Sequence, residues 1–243
     1  MKGSILGGLA AVAMLGGPAL AADIPVKAPP MAVAFNWSGF YIGGTGGYNN
    51  GHLHWFYPNA GTAPAENPFE ISGWNGGIFG GLQWQVNRFV FGVEANGLWG
   101  DITGFSICPN AIYRCQASVD DVWTVGGRVG YVWGGASQYL SYITGGFASA
   151  QVKSPAFLIS TGALFETGSA RHDGWYIGSG YDFRLIGNWI AGFEYRHYQL
   201  DSRLHVVTPA LASDDRMIKP NWNSWMFRLS YKFDWAAPLM ARY

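Results

Sequence analysis

The sequence predicts an all-β chain that closes into an eight-stranded antiparallel up-and-down transmembrane β-barrel, and three observations carry that prediction. Apolar or small residues recur with a period of two through successive segments, which gives each segment one apolar face if it is a strand. The links between segments alternate strictly between short and long, as tight turns at one end of a barrel and long loops at the other require. Hydrophobic residues make up 49% of the chain and charged residues only 12%, about half the usual charged share of a soluble domain. No stretch after residue 21 offers the ~18 continuous apolar residues that a membrane helix needs, so the apolar content is spread along strands.

The N-terminus reads as a targeting segment. Lys2 supplies the positive end, Ile5 to Leu15 is apolar, Pro18 breaks the run, and Ala19-Leu20-Ala21 is a small-x-small cleavage site. A retained anchor is the competing reading, but the run is too short to span a bilayer. Residues 1–21 are therefore expected to be a cleaved signal peptide. Residues 22–36, with Pro25, Pro29, Pro30 and no periodicity, are expected to form a periplasmic segment outside the folded unit. The barrel is expected over 37–235, with an extension over 236–243. Export places the two cysteines, Cys108 and Cys115, in an oxidising compartment, where a disulfide is the default. No CxxC motif is present to suggest redox catalysis.

Taken in order, the first strand carries Phe40, Ile42, Gly44, Gly46 and Tyr48 on one parity. The second runs from Trp74 to Trp84, the third from Phe89 to Trp99 and the fourth from Trp123 to Trp133. A fifth extended segment spans about 139–152, but its faces cannot be assigned from sequence. Trp175 to Phe183, Trp189 to Tyr195 and Trp225 to Phe233 complete the set. The links near 86–88, 134–138 and 184–188 are short; those near 50–71, 100–120, 153–171 and 203–221 are long.

The other parity holds the charges: Glu94, Arg128, Asp182, Glu194, Arg196, Arg228 and Lys232. A one-residue slip would turn these outward, at ~2–4 kcal/mol for each Lys or Arg at a bilayer midplane. With both signs present inside, they can pair. Gly43, Gly77, Gly81, Gly92, Gly126, Gly130, Gly178 and Gly192 share this inward parity and leave room in a narrow lumen. Trp74/Trp84, Phe89/Trp99, Trp123/Trp133 and Trp225/Trp235 lie ten residues apart on the apolar face. On strands tilted ~40° that spacing covers roughly 25 Å, the height of the apolar band between aromatic girdles. Trp175 and Phe233 are expected in the same girdles. A soluble barrel with these Trp residues in its core is the competing reading, and it leaves the charged parity facing the wrong way.

The segment Asn36–Tyr48 (NWSGFYIGGTGGY) resembles the first strand of the small outer-membrane β-barrel proteins of α-proteobacteria, porin-like surface antigens related to the OmpA transmembrane domain. Ala21–Lys27 (AADIPVK) resembles the junction after their signal peptide. Tyr142–Gly146 (YITGG), Glu194-Tyr195-Arg196 and Tyr231-Lys232-Phe233 resemble their fifth, seventh and last strands. The resemblance implies a barrel placed in the outer membrane by the barrel-assembly machinery. The chain departs from the pattern in running on past Phe233 to Tyr243, and in carrying Arg228 where a glycine is usual.

Three functions are open at this stage. A structural, surface-exposed barrel would anchor through its lipid belt and present four long extracellular loops. A porin-like channel would pass ions or very small solutes, although an eight-stranded lumen is usually filled by side chains. A rim enzyme would draw on His52, His54, His172, Asp173, His205, Asp214 and Asp215, but neither GxSxG nor HExxH is present. No catalytic residue, cofactor or metal is expected. The expected partners are outer-membrane lipid, lipopolysaccharide and the assembly machinery. The net charge of zero offers no case for nucleic acid.

Overall fold

The computed structural model describes residues 34–58, 66–208 and 215–234. The segment read as a signal peptide, residues 22–33 of the Pro-rich segment, Asp214, Trp235 and the extension over 236–243 lie outside the described residues. The strands are β1 (Gly39–Phe56), β2 (Glu66–Val86), β3 (Phe89–Ile107), β4 (Tyr113–Trp133), β5 (Tyr139–Lys153), β6 (Ala156–Leu158), β7 (Leu164–Arg184), β8 (Trp189–Leu200), β9 (Arg203–His205), β10 (Val207–Thr208) and β11 (Arg216–Phe233). Eight of these are long and pair antiparallel in the order β1-β2-β3-β4-β5-β7-β8-β11. β11 pairs back onto β1, from Phe40↔Phe233 to Phe56↔Met217, and so closes the ring. Closure is obligatory in lipid, where an open edge would leave backbone groups with no water to bond.

The three short links lie at one end. β2 and β3 are joined by Asn87-Arg88, and Asn87 has φ 56°. Gly134 (φ 90°), Ser137 (φ 55°) and Gly187 (φ 57°) reverse the chain in the other two. At the opposite end the strands run well into the segments read as loops: β1 continues to Phe56, β3 to Ile107, and β4 begins at Tyr113.

The alternation does not stop at the upper girdle; it inverts. In the belt, Ile42 and Tyr48 of β1 face outward. Beyond it, the outward residues are Asn50, His52 and His54, while Leu53 and Trp55 are buried. The same inversion buries Ile71 on β2, Ala148, Ala150 and Val152 on β5, and Ile218 and Trp222 on β11. Register shifts between Trp99 and Ile102 and between Val119 and Asp121 mark a change of parity in β4, which buries Cys115, Ala117 and Val119 above it and Val122 and Thr124 below, while β3 keeps its buried parity from Glu94 through Leu98 to Ile102. Inside the bilayer the solvent is outside the barrel and apolar. Above it the solvent is water, so apolar side chains turn inward.

The faces of β5 are resolved as well. Leu140, Tyr142 and Thr144 point inward; Tyr139, Ile143 and Phe147 point outward. Alternation is blurred there because Leu140 and Ala148 lie inside, while outside Ser141 accepts a hydrogen bond at 3.0 Å from the Trp133 indole.

The position of the girdle can be tested with two arginines. Ile78→Arg, near mid-belt between Trp74 and Trp84, should destabilise folding into vesicles by about 2–4 kcal/mol. Ser72→Arg, two residues beyond Trp74, should fold like wild type. Heat-modifiable gel mobility across a urea series reads both, and equal effects at the two positions would contradict the belt boundary.

Candidate functional site in the barrel interior

At mid-height of the lumen Arg128, Arg196 and Arg228 meet Glu94, Asp182 and Glu194, three positive groups against three negative, each at most 6% exposed. Arg228 lies between the two glutamates: its Nη1 donates to Glu94 Oε1 at 2.9 Å, and it also donates to Glu194. Arg196 bridges the same two acids, reaching Glu94 Oε1 at 3.1 Å and pairing with Glu194 through Nε. Arg128 donates to Asp182 Oδ2 at 2.7 Å and lies 3.5 Å from Glu94 Oε2. β3, β4, β7, β8 and β11 thus each contribute at least one charge.

Aromatic rings complete the seat. Tyr41 Oη donates to Glu94 Oε2 at 2.8 Å and Tyr142 Oη to Glu194 Oε2 at 2.7 Å. The guanidinium of Arg128 lies 3.8 Å from the centre of the Tyr142 ring, that of Arg228 3.9 Å from Phe79, and that of Arg196 4.8 Å from Tyr176. Such stacking suits a cation removed from water. Glycine makes the space: a Cβ on Gly81 would fall 2.5 Å from Tyr41 Oη, and one on Gly180 2.4 Å from the Tyr142 ring. The charge pattern in the sequence does not disclose Phe79, Tyr176, Asn96 or Thr124, because only the closed ring brings them to the arginines.

Apolar layers lie on both sides of this network. Toward the long links, Leu53, Trp55, Ile71, Ile102, Trp222 and neighbours form one buried cluster. Toward the short turns, Phe35, Trp37, Val90, Val132, Leu140 and Ile190 belong to a second. Phe35 falls within the segment read as lying outside the folded unit, yet it is buried. Its amide donates to Ala136 O at 3.0 Å and its ring meets Trp37 edge-on at 5.0 Å. The prolines before it mask an aromatic that the barrel mouth buries. Trp37 is anchored by its indole, which donates to Ser137 O at 2.9 Å. Lys232 stands apart from the central network, in this mouth, paired with Asp234 and 5.0 Å from the centre of the Phe35 ring.

Trp74, Trp84, Phe89, Trp99, Trp123, Trp133, Trp175, Trp225 and Phe233 are all exposed on the outer face. They meet further rings that the sequence reading did not place in the girdles: Tyr48 with Trp74 at 5.3 Å, and Tyr131 with Phe89 at 5.5 Å. Cys108 and Cys115 form the expected disulfide, which closes the tip between β3 and β4.

Of the histidines considered for a rim site, His172 and His205 come together and His52 and His54 remain exposed on the outer face of β1. His172 Nε2 and His205 Nε2 are 2.8 Å apart, with Ser154 Oγ 2.9 Å from His205 Nδ1 and the Asp201 carbonyl 2.9 Å from His172 Nδ1. A carbonyl only accepts, so His172 carries its proton on Nδ1; His205 then donates through Nε2 and accepts from Ser154. This chain of hydrogen bonds pins β9 to β7 and to the end of β5, and Ser154, His172 and His205 are all fully buried. Burial, with the His172 ring and the Arg216 guanidinium nearby, pushes His205 down to about 3. Burial also lowers His172.

Two predictions follow from these contacts. Arg228→Met removes one of the two cations that Glu94 and Glu194 share and should cost about 3–5 kcal/mol in urea unfolding; Gly81→Ala should displace the Tyr41 hydroxyl and destabilise by a smaller amount. For the histidine pair, the unfolded rings titrate near about 6.5. Below that pH the unfolded chain binds more protons than the folded one. The pair's contribution is therefore complete above about pH 6.5 and is lost as the pH falls toward the folded value. The urea midpoint of wild type should drop between pH 7.5 and 4.5 by more than that of His205→Gln. Equal drops would remove the pair as the cause.

With the closed ring and its interior described, comparison with known proteins gives a consistent result. The chain matches the outer membrane protein beta-barrel domain family over residues 7–233. It is 30% identical to the 31 kDa outer-membrane immunogenic protein of Brucella melitensis, covering 96% of this chain and 100% of that protein. It is 30% identical to a 22 kDa outer membrane protein of Rhizobium leguminosarum bv. viciae, over 72% of this chain and 69% of that one. Among solved structures, the outer membrane protein OprG of Pseudomonas aeruginosa aligns with a TM-score of 0.52 at 11% identity, covering 83% of this chain and 99% of that one, which is a likeness of fold. The chain belongs to the outer membrane protein beta-barrel domain family and is a β-barrel protein of the outer membrane.

Proposed function

We propose that the protein is a closed, structural barrel that holds an extended extracellular surface on the cell and does no chemistry. The observation that carries this reading is the interior: a neutral, fully paired charge layer between two apolar layers leaves the lumen filled by side chains. A conducting pore needs charges that solvent reaches, and these six are bonded to one another. Against the enzyme reading stands the burial of Ser154, His172 and His205, which shields the one nucleophile–base contact among them from any substrate. Relatives are named as immunogenic outer-membrane proteins, which fits a role at the surface.

The partners follow from the same layers. Outer-membrane lipid meets the belt. Lipopolysaccharide phosphates meet the collar above it, where Lys153–Asp120, Arg171–Asp121 and Arg203–Asp173 are solvent-facing pairs. Such pairs are worth little to stability and exchange readily for an anion. The assembly machinery acts before β11 closes on β1.

Planar-bilayer recording of the refolded 22–243 chain tests the reading. Protein that shows heat-modifiable mobility should be electrically silent. Reproducible conductance steps that change in Arg128→Leu would replace the closed barrel with a channel lined by these residues.

A further inference from the structure

Two hairpin tips end the sheet above the membrane, and both are free of charge. Residues 103–113 (TGFSICPNAIY) and 154–165 (SPAFLISTGALF) contain no Asp, Glu, Lys, Arg or His. Phe105, Ile107, Ile112, Ile159 and Leu164 are nevertheless 52–68% exposed there.

These side chains are held in place. The Cys108–Cys115 disulfide closes one tip, and β6 pairs with both β4 and β7. The Ile159 amide donates to Ile112 O at 3.0 Å and joins the two tips, and Tyr113 stacks on Phe165 at 4.4 Å. The apolar surface is therefore built into the fold and does not depend on a binding partner to order it.

The lipid around the barrel cannot cover this surface. Ten residues of β4 separate Tyr113 from Trp123 in the upper girdle, a rise of roughly 25 Å on a tilted strand. The turns, residues 109–111 and 160–162, are exposed and uncharged, and from them downward the order is aliphatic (Ile112, Ile159), then aromatic (Tyr113, Phe157, Phe105), then charged (Asp120–Lys153, Asp121–Arg171). Arg114 lies at the aromatic level, its guanidinium 5.5 Å from the Phe105 ring centre and 5.8 Å from that of Phe157. Aliphatic end, aromatic ring and charged collar is the layering of a segment that enters a membrane interface. The tips are hairpin turns at the ends of β3–β4 and β6–β7. A protein partner would need a hollow shaped to them, whereas a fluid bilayer conforms.

We propose that the paired tips insert into the interface of a second lipid bilayer brought against the cell surface, with Ile112 and Ile159 supplying apolar contact beside the uncharged turns. The inference rests on the reading that the long links face away from the cell. Because the tips carry so little charge, insertion is driven by apolar burial and is insensitive to anionic lipid.

The test uses the full barrel in lipid nanodiscs mixed with sedimentable phosphatidylcholine vesicles. Wild type should cosediment with the vesicles, and adding anionic lipid should change its partition less than twofold. Ile112→Ser combined with Ile159→Ser should partition at least tenfold more weakly. Val206→Ser, which removes an exposed apolar residue elsewhere at this end, should stay within twofold of wild type. Heat-modifiable mobility confirms that each variant is folded. No cosedimentation, an equal loss in Val206→Ser, or a requirement for anionic lipid would overturn the proposal. Association of discs without vesicles would assign the tips to a second copy of this chain and overturn it as well. A failed sedimentation beside a silent planar bilayer would remove this inference and leave the closed-barrel reading standing.

Discussion

Inside a barrel of eight strands a charge has no bulk water, and much of the interior follows from that constraint. Glu94 and Glu194 are brought to the same level from β3 and β8, and neither has a cation of opposite sign on its immediate rung. Arg228, delivered by the last strand, lies between them, and Arg196 repeats the bridge. The guanidiniums then need their faces covered, which Phe79, Tyr142 and Tyr176 do. Those rings need space, which glycines on the neighbouring strands leave. The closing pair of strands and the filling of the lumen are thus parts of one arrangement, since a ring without β11 would lack Arg228.

The solvent on the outer face governs the rest of the molecule. One continuous strand crosses from a medium without hydrogen bonds into water, and its alternation inverts at the crossing. The two register shifts lie just above the upper girdle, next to Asp101 and Asp121. They let β4 change which parity is buried, between Val119 and Val122, without interrupting the ladder on either side. The result is a barrel with two cores of opposite sense: ionic at mid-membrane and apolar above it.

That upper core makes the end with the long links stiff. Ser154, His205 and His172 tie β9 to β7 through side chains while its backbone pairs with β11, and the disulfide and the pairing of β6 hold the hairpin tips. Rigidity explains how apolar residues stay exposed at the far end, since a free loop would fold them back onto the barrel.

The sequence alone determined the fold class, the eight strands in lipid, the sorting of short and long links to opposite ends and the pairing of its two cysteines. Those features are local or depend on a period of two, and a period survives in one dimension. The faces of β5 were illegible because its outward side carries Ser141 and Gly145 while its inward side carries Leu140 and Ala148. The upper third of the sheet was taken for loop because its polarity is reversed, and a rule tuned to lipid reads reversed polarity as no pattern. Parity could assign Glu94 or Arg196 to a face, but it could not say which charge meets which. Ring closure and strand stagger decide that, by placing residues 100 or more positions apart at one level, as with Arg228 and Glu94. For the same reason Ser154, His172 and His205 became one hydrogen-bonded chain, and Ile112 and Ile159 one tip, only in the tertiary structure.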